Sequence, residues 1–415
     1  MFTKISECRI CKNKNLVQVV DLGEQHMTGV FPFSKDMNKV TKGPLRLVKC
    51  HGEGDICGLV QLEHTYNLAE MYGENYGYRS GLNGSMVKHL KSKVEKITSF
   101  VALTSGDLVI DIGSNDGTTL GFYPENLSIV GVDPTGTKFK KYYKPHVALI
   151  PDFFSNSLIK KVYGAKKAKV ITSFSMFYDL DEPVKFAAEV ASVLDEKEGV
   201  WVFEQSYMPL MVERNSYDTI CHEHLEYYGL KQIEFIAKKA GLKIIDVEFN
   251  DINGGSFSVV AALQNSARQP NHDKVNSVLA TEVEAGYLTL KPYEAFFDRI
   301  KESKKNLVDF VKQANLSGKK VYGLGASTKG NVVLQYCGFT EQDIVGIADV
   351  NPDKFGAFTP GSCIPIQDEK KILADKPDYL LVLPWHFREF FVTNPAFKNN
   401  NLLFPLPNIE IVAVK

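Results

Sequence analysis

The chain has 415 residues, of which 44% are hydrophobic and 23% are charged, and its formal net charge is -1. This length predicts two or three domains, and the near-zero charge excludes a broad electrostatic grip on nucleic acid or on an anionic membrane. The first residues lack the apolar run of a signal peptide, and no stretch reaches the roughly 18 apolar residues of a membrane span. We therefore expect a cytoplasmic protein that binds a small ligand.

Four of the seven cysteines lie within the first 57 residues. Cys8 and Cys11 form a C-x-x-C pair, and Cys50 and Cys57 form a second, wider pair further along the chain. Two pairs of thiolates on two turns can enclose one tetrahedral Zn²⁺, which would help a small, turn-rich segment to fold. The spacing predicts a structural zinc site in which His51 could replace one ligand. The alternative is four unrelated buried thiols.

Helical and strand patterns alternate after this segment. Apolar residues at helical spacing begin at Met86, and five apolar runs follow, separated by segments that can form helices. These predicted strands begin at Leu108, Ser128, Val147, Lys169 and Val200. The alternation predicts a mostly parallel sheet covered on both faces.

The first predicted strand contains Asp111 and leads into the turn Gly113-Ser-Asn-Asp-Gly117. The next strand ends about twenty residues later in Asp133, where an acid can accept hydrogen bonds from ribose hydroxyls. The turn lacks the G-x-G-x-x-G fingerprint, and its acids would repel the phosphates of a dinucleotide. A ligand with adenosine and a cation fits better, so we predict S-adenosylmethionine. The alternative is a plain structural turn.

The predicted cofactor site extends beyond this turn. After the third strand, an acid and an aromatic ring could bind the amine of adenine and stack on its base. The full set of predicted cofactor residues is Asp111, Gly113, Asn115, Asp116, Gly117, Asp133, Asp152, Phe153, Phe154 and Ser173.

These patterns predict an α/β protein with three domains. Residues 1–80 are the zinc-binding domain, and residues 81–270 are a Rossmann-like domain that binds S-adenosylmethionine, as a class I methyltransferase domain does. Residues 271–318 read as a helical connector, interrupted near Pro292. Residues 319–415 repeat the strand and helix alternation and are predicted as a second Rossmann-like domain.

The stretch Cys221-His-Glu-His-Leu-Glu-Tyr-Tyr places two histidines on either side of a glutamate. A metal site is disfavoured because the spacing is not H-E-x-x-H and no further Cys or His clusters nearby. In a strand His222 and His224 would share one face, whereas in a helix they would diverge. Because histidine titrates near neutrality, the motif favours proton transfer. The alternative is a solvated polar face.

Taken together, the cysteine pairs, the D-I-G-S-N-D-G turn and C-H-E-H-L-E-Y-Y resemble the three-domain C-methyltransferases that act on nucleotide-linked deoxysugars. The resemblance covers nearly the whole chain, including Asn253-Gly-Gly-Ser and Asp349-Val-Asn-Pro-Asp-Lys. It implies three domains that enclose a 4-keto-6-deoxyhexose linked to dTDP or GDP. It also implies transfer of the methyl group of S-adenosylmethionine to carbon 3.

The resemblance implies roles for individual residues. His224 corresponds to the base that removes the proton from carbon 3, with His222 and Glu223 beside it. Tyr76 or Tyr78 would lie against the sugar.

Two residues depart from the pattern of this family. Cys221 stands where some members have a tyrosine, and Asp179 stands where many have a histidine.

Other functions remain open at this point. The segment Gly323-Leu-Gly-Ala-Ser-Thr follows a predicted strand, and Asp349 lies about twenty residues on, as in an NAD-dependent oxidoreductase with an incomplete fingerprint. The methyl acceptor could also be an oxygen or nitrogen atom, and Trp385-His386 either contacts the nucleotide or packs in the interior. We expect no nucleic-acid or membrane partner, and a monomer or small homo-oligomer.

Overall fold

The computed structural model describes residues 2–67, 70 and 79–415. Tyr76 and Tyr78, which are predicted to contact the sugar, lie outside the described residues. Across the described ranges, no helix combines the length and the apolar composition needed to cross a bilayer.

The N-terminal region consists of short antiparallel strands. They are β1 (Phe2–Lys4), β2 (Leu16–His26), β3 (Lys42–Cys50), β4 (Val60–Leu62) and β5 (His64–Tyr66). β1 pairs with β5, while β2, β3 and β4 form a sheet that is extended at β4 by β11 (Glu226–Tyr227). Because β11 comes from the middle of the chain, this sheet is joined directly to the central domain.

The central domain contains a seven-stranded sheet in the order β12-β13-β10-β9-β6-β7-β8. Its strands are β6 (Leu108–Ile112), β7 (Ser128–Val132), β8 (Val147–Ile150), β9 (Ala168–Phe174), β10 (Val200–Ser206), β12 (Leu242–Asn250) and β13 (Ser256–Leu263). The five strands from β6 to β10 are parallel, whereas β13 runs antiparallel to both of its neighbours. The chain order reverses between β6 and β9, which places a ligand crevice at their carboxyl ends.

Helices cover both faces of this sheet. They are α1 (Gly84–Phe100), α2 (Gly136–Phe139), α3 (Asn156–Tyr163), α4 (Pro183–Val193), α5 (Met208–Glu213) and α6 (Leu230–Lys239). The predicted helix around Met86 is confirmed, and it begins at Gly84 because the side chain of Asn83 accepts from the backbone N–H groups of Ser85 and Met86. β6 is buried at every position, as expected for a strand between two helical layers.

The C-terminal domain has a six-stranded sheet in the order β16-β15-β14-β17-β18-β19, in which β19 is antiparallel to β18. Its strands are β14 (Val321–Leu324), β15 (Ile347–Asp349), β16 (Ile366–Asp368), β17 (Tyr379–Val382), β18 (Asn401–Phe404) and β19 (Glu410–Ala413). Its helices are α9 (Thr328–Cys337), α10 (Glu369–Ala374) and α11 (Arg388–Thr393). The apolar run from Asp343 to Asp349 predicts a strand along its whole length, but β15 begins only at Ile347, because the Asp343 carboxylate instead accepts from the backbone of Thr340 in a turn.

Two helices occupy the segment predicted as a connector. α7 (His272–Glu284) packs against β12 and α6 of the central domain. α8 (Lys291–Leu316) packs against β2, β14 and α9, and it also contacts α5 of the central domain. Pro292 lies in the first turn of α8, where a proline is tolerated, so the interruption in the pattern marks a helix start.

All three parts of the molecule meet around residues 217–228. The ring of Tyr217 lies 5.6 Å from that of Tyr336 in α9, and β11 pairs with β4 of the N-terminal sheet. The backbone N–H of Leu225 donates to the carbonyl of Tyr178 in the central domain. The H-E-H motif therefore lies where the domains converge.

Candidate active site and zinc site

The four N-terminal cysteines form one cluster. Their Sγ atoms all lie within 4.8 Å of one another, and the Cys8–Cys57 and Cys11–Cys50 pairs are each 3.4 Å apart. Thiolates bound to one tetrahedral zinc at about 2.3 Å would be roughly 3.8 Å apart, so the cluster fits this ion. All four ligand positions are filled by cysteine, and His51 is not needed.

The cysteine cluster is held against the central domain. The side chain amide of Gln232, in the first turn of α6, donates to the carbonyl of Cys57 at 2.8 Å. Nearby, the guanidinium of Arg9 donates to Asp181 at 2.9 Å. A metal bound here would order the surface that the N-terminal region presents to the central domain.

The predicted cofactor turn lies at the carboxyl end of β6. Gly113 and Gly117 both have a φ of +74°, and a side chain at Gly113 would place its Cβ 2.9 Å from Cγ of Met176. Asn115 also has a positive φ, of 49°. Glycine adopts such angles without strain, which explains its place at these two positions.

The acids of this turn are brought together. Asp133 Oδ2 accepts from the backbone N–H of Asn115 at 2.7 Å, and Asp133 Oδ1 accepts from the backbone and hydroxyl of Thr135. Asp111 is 3% exposed and accepts from the hydroxyl of Thr172 at 2.6 Å. Burial raises the pKa of Asp111 to about 7, against the opposing effect of the Thr172 hydrogen bond.

A short segment from the end of the N-terminal region lies over the turn. The backbone N–H of Ser80 donates to the Asn115 side chain, and that of Gly81 donates to Asp116 Oδ2, each at 2.9 Å. The guanidinium of Arg79 stacks on the ring of Tyr142 at 4.0 Å. Carboxylates around a glycine turn favour a cationic ligand that has no phosphates, and S-adenosylmethionine is such a ligand.

The remaining predicted cofactor residues divide into two groups. Asp152 is exposed, Phe153 is 54% exposed and Phe154 packs 5.4 Å from the ring of Phe186, all just after β8. Ser173 is fully buried in β9, and its hydroxyl accepts from the indole of Trp201 at 2.9 Å. The geometry therefore favours a structural role for Ser173.

The H-E-H segment forms an irregular turn over residues 220–225, neither strand nor helix. His224 Nδ1 lies 2.8 Å from the carbonyl oxygen of Thr219. Because a carbonyl can only accept, Nδ1 carries the proton and Nε2 is left with a free lone pair. The ring contacts that of Tyr178 edge-on at 4.3 Å, and burial followed by the charge of Lys329 lowers the pKa of His224.

His222 and Glu223 lie in different surroundings. His222 is fully buried, its ring lies 4.6 Å from that of Tyr66 in the N-terminal region, and burial lowers its pKa to about 3. Glu223 lies against Gly29, which has no room for a side chain there, and burial raises its pKa. Of the two histidines, only His224 retains accessible surface.

Cys221 and Asp179 lie beside these residues. The Cys221 thiol is fully buried and hydrogen-bonds to the Glu223 carboxylate; burial and the charge of Glu223 raise the pKa of that thiol. The negative charge of Asp179 raises it further. This side of the motif is therefore rich in acids.

The C-terminal domain contributes Lys329, which the sequence did not identify, and Trp385, which the sequence left as either a nucleotide contact or a packing residue. Lys329 Nζ donates to the carbonyl of Asn253 at 2.7 Å and to the hydroxyl of Thr219 at 3.3 Å. The indole of Trp385 donates to Asp218 at 2.8 Å, so this residue joins two domains by packing and hydrogen bonding. A lysine in the first turn of a helix, where a cation is disfavoured, was the one sequence signal for Lys329.

Three family models match successive parts of the chain. A zinc-binding domain matches residues 8–72, a methyltransferase domain matches residues 86–247, and a C-methyltransferase C-terminal domain matches residues 251–407. The C-methyltransferase NovU of Streptomyces niveus is 29% identical over 426 residues, which cover 99% of this chain and 98% of NovU.

The chain also matches solved structures over part of its length. An S-adenosylmethionine-dependent methyltransferase of Clostridium acetobutylicum is 14% identical with a TM-score of 0.32, over 43% of this chain and 92% of its own. An O-methyltransferase family protein of Burkholderia thailandensis is 16% identical with a TM-score of 0.36, over 48% of this chain and 63% of its own.

The matched models and the full-length relative agree with the cysteine cluster and the α/β sheets. The chain is an S-adenosylmethionine-dependent C-methyltransferase with a zinc-binding domain. Its cofactors are S-adenosylmethionine and zinc. The predicted fold class, enzyme class and cofactors are confirmed.

Proposed function

We propose that this S-adenosylmethionine-dependent C-methyltransferase methylates carbon 3 of a nucleotide-linked 4-keto-6-deoxyhexose, with His224 as the base. The reaction would take place in the cytoplasm and serve the synthesis of a branched deoxysugar. The substrate part of the proposal rests on the sequence resemblance described above. The name of the NovU relative supports methylation at carbon.

The observation that carries the proposal is the hydrogen bond between His224 Nδ1 and the carbonyl of Thr219, at 2.8 Å. It fixes the tautomer and the ring orientation, and it leaves Nε2 as a proton acceptor. Burial and the charge of Lys329 lower the pKa of His224 to about 3, so the imidazole is neutral at neutral pH and Nε2 carries no proton.

His222 and Glu223 would then hold the base in place. His222 anchors the motif to the N-terminal region through Tyr66, and Glu223 ties the motif to Cys221 and Gly29. Both contacts lie one or two residues from His224, so they restrict the backbone that presents the imidazole.

For the cofactor, we propose that Asp133 binds the ribose and that Asp152 and Phe153 bind adenine. Asp111, Asp116 and the Gly113 turn would surround the charged end of the molecule. Ser173 stays outside this set because its hydroxyl is bonded to Trp201.

The chemistry begins with a proton transfer. His224 Nε2 takes the proton of carbon 3, the C–H electron pair forms a carbon–carbon double bond, and the carbonyl π pair moves onto the oxygen as an enolate. Bound S-adenosylmethionine supplies the electrophilic methyl group. The convergence of three domains on residues 217–228 would keep water from the enolate.

The test is to incubate the enzyme with S-adenosylmethionine and a panel of dTDP- and GDP-linked 4-keto-6-deoxyhexoses, and to locate the new methyl group by mass spectrometry and NMR. We expect a carbon–carbon bond at carbon 3. Methyl on oxygen or nitrogen, or no transfer to any ketosugar, would refute the proposal.

A second experiment tests the base. His224→Ala should lower turnover by about 10²- to 10⁴-fold, because general base catalysis contributes that much, while S-adenosylmethionine still binds by calorimetry. His272→Ala, an exposed histidine at the start of α7, is the matched control and should retain native turnover. Native turnover in His224→Ala would show that the base is another group.

A further inference from the structure

Lys329 crosses from the C-terminal domain to the H-E-H motif. It is the second residue of α9, and its ammonium reaches Asn253 and Thr219 of the central domain. Thr219 is also the residue whose carbonyl accepts from His224 Nδ1. Thr219 therefore connects His224, the proposed base, with the ammonium of Lys329 from another domain.

This cation lies in an unfavourable electrostatic position. The first turn of a helix presents partial positive charge, and α9 has no acidic residue in that turn. Burial lowers the pKa of Lys329, and the charge of Asp218 opposes this effect, although no carboxylate of the described chain lies within 4.0 Å of its Nζ. A buried ammonium without a carboxylate in direct contact destabilises the folded state, so its presence calls for a functional reason.

The Lys329 ammonium also has an N–H group available for a further hydrogen bond. An ammonium has three N–H groups, and within the described residues Lys329 uses two of them, at 2.7 Å and 3.3 Å. Like His224, its side chain is deep in the protein yet keeps accessible surface. The same charge acts on His386, whose pKa is lowered first by burial and then by Lys329.

Acidic side chains lie close together on this side of the motif. Asp218, Glu223 and the Cys221 thiol are buried, and burial raises the pKa of each, so this region disfavours negative charge. An enolate oxygen formed beside them would need a preorganised donor, and a positive one is the most effective.

We infer that Lys329 is a catalytic residue that donates a hydrogen bond to the substrate oxygen on which the enolate charge develops. This inference rests on the proposed function. When His224 takes the proton from carbon 3, the electron pair of the C–H bond moves towards the carbonyl oxygen. Lys329 keeps its own proton and stabilises that oxygen through its third N–H group.

The experiment measures enolate formation separately from methyl transfer. The enzyme is incubated in D₂O with S-adenosylhomocysteine and a dTDP-linked 4-keto-6-deoxyhexose, and deuterium uptake at carbon 3 is followed by NMR. Lys329→Met should lower the exchange rate by about 10²- to 10³-fold, the usual effect of removing one oxyanion donor. S-adenosylhomocysteine affinity should be unchanged, because neither hydrogen bond of Lys329 goes to a predicted cofactor residue.

Two further variants separate catalysis from folding. Lys354→Met removes another deeply placed ammonium of the same domain, one that donates to the carbonyl of Ala326 at 2.7 Å, and it should exchange at the native rate. Lys329→Ala should recover part of its exchange when ethylammonium is added, because a free ammonium can occupy the vacated space.

Three outcomes would overturn the inference. The first is native exchange in Lys329→Met, and the second is a loss that ethylammonium does not restore while only the KM for the sugar changes. Native enzyme that exchanges with no ketosugar would remove the proposed function and the inference together. A loss confined to the Lys329 variants would support the inference.

Discussion

The central sheet and the C-terminal sheet each have a glycine turn at the end of their first strand. In both sheets a backbone N–H group of this turn donates to an aspartate at or just after the neighbouring strand. In the central sheet, Asp133 accepts from the backbone N–H of Asn115 at 2.7 Å. In the C-terminal sheet, Asp349 accepts from that of Ala326 at 2.8 Å. The donor lies two residues after Gly113 in the central turn and one residue after Gly325 in the C-terminal turn, so the two bonds are similar but not identical.

The two turns also differ at the position two residues before the glycine that follows the strand. Asp111 precedes Gly113 in the central sheet, whereas Gly323 precedes Gly325 in the C-terminal sheet. A side chain at Gly323 would overlap that of Ile347, so no acid can stand there. The C-terminal turn therefore lacks the buried carboxyl that distinguishes the central one.

The two turns also differ in what covers them. Over the C-terminal turn, Lys354 donates to the carbonyl of Ala326 at 2.7 Å and lies 4.6 Å from the ring of Phe31. The N-terminal region is fastened there by Asn331, which donates to the carbonyl of Thr28 at 2.7 Å. A cation and a packed loop thus fill the place where a dinucleotide would bind, which argues against the oxidoreductase alternative.

The comparison shows that a glycine turn with a following acid is first a way to satisfy backbone donors. Binding of a ligand depends on an additional acid and on an open crevice. Each of the following predictions tests this distinction between the two turns.

Zinc removal should affect the two sheets unequally. Cys57 accepts from Gln232 in α6, and the cysteines pack in the same apolar cluster as Leu108 and Ile110 of the central sheet. Structural zinc contributes on the order of 10 kcal/mol to the fold it holds, so chelation should release β3, β4 and α6. Hydrogen exchange should rise there and stay low in β17. Equal loss in β17 and α6 would contradict the distinction, and adding zinc back is the control.

The central turn should contribute a pH dependence to protein stability that the C-terminal turn does not contribute. Of the two turns, only the central one has a buried carboxyl group before its glycine. The pKa of Asp111 is raised to about 7, so the folded state binds its proton more tightly than the unfolded chain does. The resulting stabilisation is complete below about pH 4 and is lost as pH rises to about 7, on the order of 4 kcal/mol. Asp111→Asn should flatten the melting temperature of the ligand-free protein over this range. An unchanged slope would contradict the prediction.

Removing the aspartate that follows each turn should show which of the two turns binds S-adenosylmethionine. Asp133→Ala should weaken S-adenosylmethionine binding by about 10- to 100-fold, because hydrogen bonds to a charged group contribute about 1.5–3 kcal/mol. Asp349→Ala removes the same backbone bond in the other sheet and should leave the affinity unchanged. Calorimetric titration of both variants measures this difference. Similar losses of affinity in the two would show that the second turn also serves the cofactor.

Local sequence patterns predicted much of this fold. The strand Leu108–Ile112 has the bounds expected from its apolar run, because a buried parallel strand is determined by its own residues. Cys8, Cys11, Cys50 and Cys57 were identifiable because ligand type and spacing are features of the sequence.

The parts that were not predicted depend on contacts between distant residues. The sequence left His224 in either a strand or a helix, but contacts from three domains hold it in an irregular turn. Lys329 reaches Thr219 across 110 positions of the chain, and no periodicity encodes such a contact. Ser173 lies in a strand whose bounds were nearly correct, yet its partner Trp201 on the neighbouring strand decides its role.

The smallest expected effect comes from the glycines themselves. Gly113 and Gly325 have φ values of +74° and +84°, so alanine at either should destabilise the protein by about 1–2 kcal/mol through backbone strain. The new Cβ would meet the flexible side chain of Met176 in the central sheet, but the rigid ring of Pro384, at 2.8 Å, in the other. Gly325→Ala should therefore lower the melting temperature more, while only Gly113→Ala weakens S-adenosylmethionine binding. A larger loss of stability in Gly113→Ala would mean that Met176 is held as firmly as a proline ring, and that the central turn is more rigid than its open crevice suggests.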